Sequence, residues 1–408
     1  MSGVETAAQT RFARKVAELR TARSMSLAML GTATFVSRGW INNVEAGRRW
    51  PARSWAAQAD VVLQADGALV RAWDAGQRER EDSEGVASLL VASARDSNAL
   101  IATRVHERDL DSLQDVVEQL AIGYLASPAR PMLEQGMDVS RELTMRAKVG
   151  AVRPRELMDL YLGLGRVSGI LSYAALDLGR SDIARTHIET AWHMADMAED
   201  SELKAWVRGT QSLIARFDQK WEAATSFIED GLRYAGQGTS ILRLLSGAAQ
   251  CAANMGDTVH AIEYLDTAER ARETIGLDSL EGLFGFSRAK QWYYGGSSLM
   301  WLPERFALER AEKSAEAAIA AWEHEPPEQR SLDDEALAHV YLATARIRLH
   351  DLDGAMDAVR PILELPPERQ ISWISKRVSN LAALLEHEEF NGSQQAADAR
   401  EELRAYGS

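Results

Sequence analysis

The segment Ser24–Pro51, SMSLAMLGTATFVSRGWINNVEAGRRWP, places two helix starts and one helix stop within 28 residues. Few folds accommodate that. Ser26 is a side-chain cap for a first short helix, whose apolar positions Leu27 and Leu30 share one face. Thr34-Phe35-Val36 makes a turn, and Ser37 caps a second helix from Arg38 to Ala46. On that helix Ile41 and Val44 point inward, which leaves Arg38, Gly39, Asn42 and Asn43 pointing outward. Gly47 is a left-handed helix stop, followed by Arg48, Arg49 and Pro51. Before the segment, Thr10–Ala22 reads as an amphipathic helix, with Phe12, Val16 and Leu19 opposite Arg14 and Lys15. After it, Ser54–Leu63 and Gly67–Trp73 read as two more.

The segment resembles the DNA-binding helix-turn-helix of the Xre/Cro/cI repressor family. The residues that carry the resemblance are Ser26-Leu27, Leu30, Val36-Ser37-Arg38, Ile41, Glu45, Gly47-Arg48-Arg49 and Pro51, and it covers about the first 75 residues. It implies a five-helix unit that binds double-stranded operator DNA. Arg38, Gly39, Asn42 and Asn43 would meet base edges, while Ser37, Arg48, Arg49 and Arg53 would hold phosphates. Glu45 is expected to brace the unit internally, and Trp40 either packs on it or touches the sugar backbone. Phe35 stands where the family usually has Gly, which implies a strained or shifted turn. Leu27 stands where a Gln often touches DNA, which removes one contact.

Charge separates this unit from the rest. Residues 1–78 hold eleven Lys and Arg against six Asp and Glu, whereas the remaining 330 residues hold thirty-five against fifty-four. An acidic body repels DNA, so only the N-terminal part suits a polyanion. The single Cys251 rules out an intramolecular disulfide framework and suits a cytoplasmic protein. No apolar run approaches the roughly 18–20 residues of a membrane span, so no membrane partner is expected.

Beyond residue 76 the chain divides into a linker with a connecting helix, 77–108, and a long helical body, 109–408. Within the first, QREREDSEG (77–85) is polar and turn-prone, and Val86–His106 reads as a helix with a Leu89-Leu90-Val91 core patch. Leu110–Ala126 has an apolar stripe at 113, 116, 117, 120 and 124, and Met132–Lys148 follows Pro128 and Pro131. From Pro154 the chain repeats. Leu178-Gly179-Arg180-Ser181-Asp182-Ile183-Ala184 compares with Met255-Gly256-Asp257-Thr258-Val259-His260-Ala261, and Ala191 and Ala268 follow in step. Lys220-Trp221-Glu222-Ala223-Ala224 marks a third turn-then-helix between them, with weaker echoes near Ala311 and Ala355. Ser393–Tyr406 reads as a capping helix. The pattern is similar to tetratricopeptide-like repeats, in which a Gly-Asp turn ends one helix and small Ala residues let the next pack closely. The resemblance implies an all-α chain: a five-helix repressor-like unit followed by a right-handed α-solenoid of divergent repeats.

Catalytic and metal motifs are missing. The eight His residues show no HExxH or Cys/His ligand spacing, and His187 and His193 fall on different helix faces. Gly163-Leu-Gly165-Arg-Val-Ser-Gly169 has the wrong spacing for a phosphate loop and lies in a helical stretch, where close helix packing explains it. Ser201-Glu-Leu-Lys204 has no companion motifs. No enzyme, metal or cofactor is therefore expected. The first helices of the repeats carry polar residues that would face a concave groove: Arg243, Ser246, Gln250 and Asn254 in one repeat, Arg166, Gly169, Tyr173 and Asp177 in another. Arg208, Ser212 and Arg216 offer a third row, which Arg288 and Gln291 extend. Such a column suits a peptide backbone or a carboxylate.

The whole arrangement is similar to cytoplasmic repressor-plus-repeat regulators, including the peptide-pheromone receptors of Gram-positive bacteria. That resemblance implies a transcriptional regulator that forms a homodimer through its repeats and senses a peptide or small-molecule effector. The alternative is a repeat scaffold whose helical head binds a protein partner.

Overall fold

The computed structural model describes residues 7–78, 110–149, 154–236, 238–275, 282–326, 330–365 and 372–406. The chain forms two compact units, residues 1–92 and 93–408. All regular structure among the described residues is helical.

The first unit contains α1 (Ala7–Ala22), α2 (Leu27–Ala33), α3 (Arg38–Glu45), α4 (Arg53–Val62) and α5 (residues 68–78). Phe12, Val16, Leu30, Ile41, Val44, Trp55, Leu63 and Leu69 make its core. The caps act as their residue types dictate. Ser26 Oγ accepts the Met29 N–H at 3.1 Å and Ser37 Oγ accepts the Trp40 N–H at 3.1 Å. Helix α2 ends in a Schellman closure: Val36 N–H donates to Gly31 O at 2.9 Å, with Phe35 left-handed at φ +56°. The same closure ends α3, where Gly47 takes φ +69° and Arg48 N–H donates to Asn43 O at 2.8 Å. Asp60 is buried, and its carboxylate accepts the N–H groups of Gly67 and Leu69, each at 2.7 Å, at the start of α5. Helix α5 runs past Trp73 through the first residues of the expected linker. The rest of that linker and the Val86–His106 helix lie outside the described residues.

The second unit stacks seven helix hairpins among the described residues. They are α6 (Leu110–Ala126) with α7 (Ala129–Val149), α8 (Pro154–Asp177) with α9 (Ser181–Met197), α10 (Ser201–Phe217) with α11 (Trp221–Gly231), and α12 (Ser240–Asn254) with α13 (Thr258–Arg272). Then come α14 (Arg288–Leu299) with α15 (Arg305–Glu323), α16 (Leu332–Arg348) with α17 (Leu352–Leu363), and α18 (Ser372–Leu384) with α19 (Gln394–Ala405). The first helix of each hairpin packs on the first helix of the next, and α6 also touches α16. The inner layer thus curls round on itself and encloses a space.

One turn chemistry recurs. Gly179 and Gly256 adopt φ +74° and +80°, and the residue immediately after each donates back five positions: Arg180 to Ala175 O at 2.7 Å, Asp257 to Ala252 O at 2.9 Å. Gln219 (φ +59°) and His350 (φ +65°) hold the equivalent positions in two other hairpins, with Lys220 and Asp351 donating in the same way. Ala184, Ala191, Ala261 and Ala268 are fully buried, and in the intervening repeat the buried residue is Ala224, one place on from Ala223. The Gly-rich run of α8 is a packing device: a Cβ on Gly169 would lie 2.7 Å from the Trp206 ring. Helix α7 begins at Ala129, so Pro131 sits in its first turn, where a missing N–H costs nothing. Val116 is exposed and leaves the α6 stripe, which runs through Leu113, Val117, Leu120 and Tyr124. No helix among the described residues is long and apolar enough to cross a membrane.

Candidate functional site

Two surfaces carry the chemistry, one in each unit. In the first, α3 is held by Ile41 and Val44 beneath it and by Glu45 at its end. Arg20 grips Glu45 through two parallel bonds, Nε–Oε1 at 2.6 Å and Nη2–Oε2 at 2.7 Å. Glu45 is therefore a brace. Trp40 packs against Trp55 with ring centroids 4.8 Å apart, and the Arg49 guanidinium lies over its ring at 5.4 Å. This leaves Ser37, Arg38, Gly39 and Asn42 exposed in one patch, Asn43 half-buried beside them, and Arg48 and Arg49 exposed just beyond the helix end. Arg38 and Arg48 have no ion pair among the described residues. Arg53 differs. It makes a bidentate pair with Asp74, at 2.6 and 2.9 Å, so a phosphate would have to compete for it.

Residues 11–73 match the family model described as a helix-turn-helix domain. The first unit is a helix-turn-helix domain. Among solved structures the chain is similar to Bacillus thuringiensis PlcR in complex with the peptide PapR7 and DNA. The two share 10% identity over 77% of this chain and 96% of that one, at a TM-score of 0.31. No curated protein matches the sequence.

In the second unit the inner helices enclose two adjoining cavities. The first, about 100 Å³, is walled by tyrosines from successive inner helices: Tyr124, Tyr173, Tyr293, Tyr294 and Tyr341. Arg243 crosses it and is fully committed, donating to Trp206 O at 2.6 Å, Tyr173 Oη at 2.7 Å and Thr210 Oγ1 at 2.9 Å. Burial pushes the Tyr173 phenol up to about 12. Burial and the Asp177 carboxylate, to which its hydroxyl donates, hold the Tyr124 phenol well above its usual range. Tyr124 and Tyr173 therefore stay neutral and act as hydrogen-bonding walls. Asp333 and Asp334 of α16 and Lys290 of α14 complete the polar lining.

The segment 282–287 enters this space. Leu283 N–H donates to Ala121 O at 3.0 Å, and Trp206 Nε1 donates to Leu283 O at 3.2 Å. Phe284 packs on Trp206 with centroids 4.6 Å apart, and Phe286 N–H donates to Thr239 Oγ1 at 2.9 Å. The second cavity, about 300 Å³, opens between α10, α12, α14 and α18. Gln250 lies on both walls and Asn254 on the second only, where its Nδ2 donates to Gln250 O at 2.8 Å.

The sequence-expected groove column divides. Tyr173, Arg243, Gln250 and Asn254 fall on the cavity walls. Arg166 does not. It sits on α8 with a buried, unpartnered Nε, its pKa lowered by burial against the pull of Asp200, Glu118 and Asp159. Arg208 faces the outer helices, with its guanidinium 3.6 Å above the Trp192 ring and bonded to Asp230 at 2.5 Å. Ser212 is buried in packing. The inner face of α10 runs instead through Trp206, Thr210, Leu213 and Phe217, the i, i+4, i+7, i+11 stripe that one rotation of the expected register gives. Arg288 and Gln291 turn toward α13, where both bond Glu269, and α14 presents Lys290, Tyr293, Tyr294 and Ser297 inward. Sequence reading missed Lys376, Arg377 and Asn380 of α18, because only curling of the layer brings that helix opposite α10. Among the described residues no cluster of His, Cys, Asp and Glu could hold a metal ion.

Proposed function

We propose that the chain is a sequence-specific, non-enzymatic transcriptional regulator. Its repeat unit dimerises and senses a peptide or small-molecule signal. One observation carries this reading: the exposed face of α3, with Ser37, Arg38, Gly39 and Asn42 in one patch and Arg48 and Arg49 at its edge. A helix of this kind offers donors and acceptors to major-groove base edges while the flanking arginines neutralise phosphates. A single domain of this size buries too little surface for high specific affinity, which favours two heads held by a dimeric body on half-sites about one turn apart. The enclosed inner face of the repeats, lined by Gln250, Asn254 and Asn380 beside the cationic Arg216, Lys376 and Arg377, suits the sensing role.

The test is fluorescence anisotropy of the full chain with DNA from upstream of its own gene, across a salt series. Asn42→Ala should cost about 1–3 kcal/mol on the specific site and little on random DNA. Arg48→Ala should weaken both alike and reduce the salt slope by about one. Binding that ignores salt, or equal losses from both changes on both DNAs, overturns the reading. A second reading, a head that docks a protein, is favoured by Phe35, which stands 87% exposed at the α2–α3 turn.

A further inference from the structure

The second cavity differs from the rest of this acidic chain in its charge. Arg216, Lys376 and Arg377 line it, and no carboxylate among the described residues does. With 60 Asp and Glu against 46 Lys and Arg in the sequence, such exclusion is a feature of the site. Several part-buried arginines elsewhere in the unit meet acids: Arg346 pairs with Glu312 and Glu316, Arg330 with Glu335, Arg208 with Asp230; Arg243 is instead held by three neutral acceptors.

Arg216 is 8% exposed, and its Nε is buried without a partner. Its side-chain acceptors are Gln250 Oε1 and the Tyr294 phenol, both neutral, and the Cys251 thiol is close by. Arg377 reaches Tyr341 Oη at 3.5 Å and lies over that ring at 5.8 Å. Neither has a carboxylate partner among the described residues. A buried guanidinium without a counter-ion is costly to keep, and its planar fork matches a carboxylate or a phosphate. Lys376 stands exposed at the rim, its Nζ 5.3 Å from the Phe217 ring, where it draws anions inward. Trp221 and Trp301 form apolar walls beside these charges.

We propose that this cavity binds a small organic anion, its carboxylate or phosphate held by Arg216 and Arg377 and its flat apolar body against Trp221 and Trp301. This rests on the ligand-sensing reading above and names the ligand's chemistry. Asn254 and Asn380 hydrogen-bond the rest of the molecule, while Gln250, bonded to Arg216 and Ser297, holds Arg216 in place. Asp177, Asp333 and Asp334 line the neighbouring cavity instead, where Arg243, Lys290 and Arg377 balance them, so the excess of positive charge belongs to the second chamber.

The test is isothermal titration of the full chain with indole-3-carboxylate, adenosine monophosphate, inorganic phosphate and the neutral indole-3-carboxamide. At least one ring-bearing anion should bind at least tenfold more tightly than the carboxamide, and more tightly than inorganic phosphate. The stronger of the two ring anions identifies the charged group as carboxylate or phosphate. Arg216→Met should weaken it at least tenfold, and the exposed Lys376→Gln about threefold with no loss of folding. Equal binding of acid and amide, no binding of either ring anion at millimolar concentration, or full affinity in Lys376→Gln and Arg216→Met overturns the proposal. DNA affinity of the same preparations, measured without ligand, separates the two ideas. Intact DNA binding with no anion binding sinks this inference alone, and anion binding without DNA binding sinks the regulator reading alone.

Discussion

Arg20 on α1 and Glu45 at the end of α3 are joined by two charge-assisted hydrogen bonds, Nε–Oε1 at 2.6 Å and Nη2–Oε2 at 2.7 Å. Both side chains are mostly shielded, at 17% and 10% exposure. The pair fixes the angle at which α3 presents Arg38 and Asn42. Arg20 also donates to Met25 O at 2.8 Å, so it ties the approach to α2 to the same point. Part-buried bidentate pairs are stronger than surface ion pairs. A double-mutant cycle of Arg20→Ala and Glu45→Ala should give a coupling energy of about 1–2 kcal/mol in the local stability of α1 and α3, read by hydrogen exchange. Coupling indistinguishable from zero would reduce the pair to a surface contact.

Phe35 is the bulkiest of the four described non-glycine residues in this unit that take a left-handed backbone, the others being Ser24, Gln64 and Asp66. It occupies the left-handed position of the α2 closure at φ +56°, and its ring is 87% exposed, so it returns little packing. A side chain in that conformation costs about 1–2 kcal/mol relative to Gly. Phe35→Gly should therefore stabilise the α2–α3 junction by about 1 kcal/mol. The amides of Val36 and Trp40 should exchange roughly fivefold more slowly. Unchanged or faster exchange would show that the ring holds something in place.

The helix-turn-helix was legible because its devices are local: Ser26 and Ser37 cap, Gly47 stops, and Ile41 and Val44 repeat at helical spacing. The repeats were legible where Gly179 and Gly256 supply the left-handed turn. They were obscure where Gln219 and His350 take that conformation against their propensity, and the register slipped there by one residue, from Ala224 to Ala223. That slip turned Arg208 and Ser212 inward on paper, whereas the α10 stripe runs through Trp206, Thr210 and Leu213. The 282–287 segment and the α18 cations had no local signal. Their positions depend on contacts with Ala121, Trp206 and Phe217, which lie far off in sequence.

His187 on α9 is fully buried, and neither ring nitrogen has a partner among the described residues. Burial alone lowers its pKa from 6.5 to about 4. Between those values the unfolded chain binds a proton that the folded chain does not, so stability falls as pH drops through the window. Above pH 6.5 this group makes stability flat. By pH 4 the loss reaches about 3 kcal/mol. Urea unfolding of the full chain from pH 7.5 to 4 should show this slope, and His187→Leu should remove that part of it. An identical slope in the variant would assign the acid sensitivity to other groups.

Gly282 is where the inserted segment meets the wall of the first cavity. It takes φ +69°, and a Cβ there would lie 2.4 Å from Ala121 O and 2.6 Å from Ala121 C. Neither atom can yield, because both belong to the α6 backbone. Gly282→Ala should therefore break the Leu283 N–H to Ala121 O bond and draw Phe284 away from Trp206. The hairpins themselves do not depend on those contacts, so the loss should stay local. Expected results are faster exchange at Leu283 and Phe286, a changed Trp206 fluorescence, and unchanged helix content by circular dichroism. The strain of a left-handed Ala plus the clash is worth about 2 kcal/mol or more. If the amides of 282–287 keep full protection in the variant, the segment is anchored by its other bonds, Trp206 Nε1 to Leu283 O and Phe286 N–H to Thr239 Oγ1. The contact with α6 would then be incidental to how the cavity is filled.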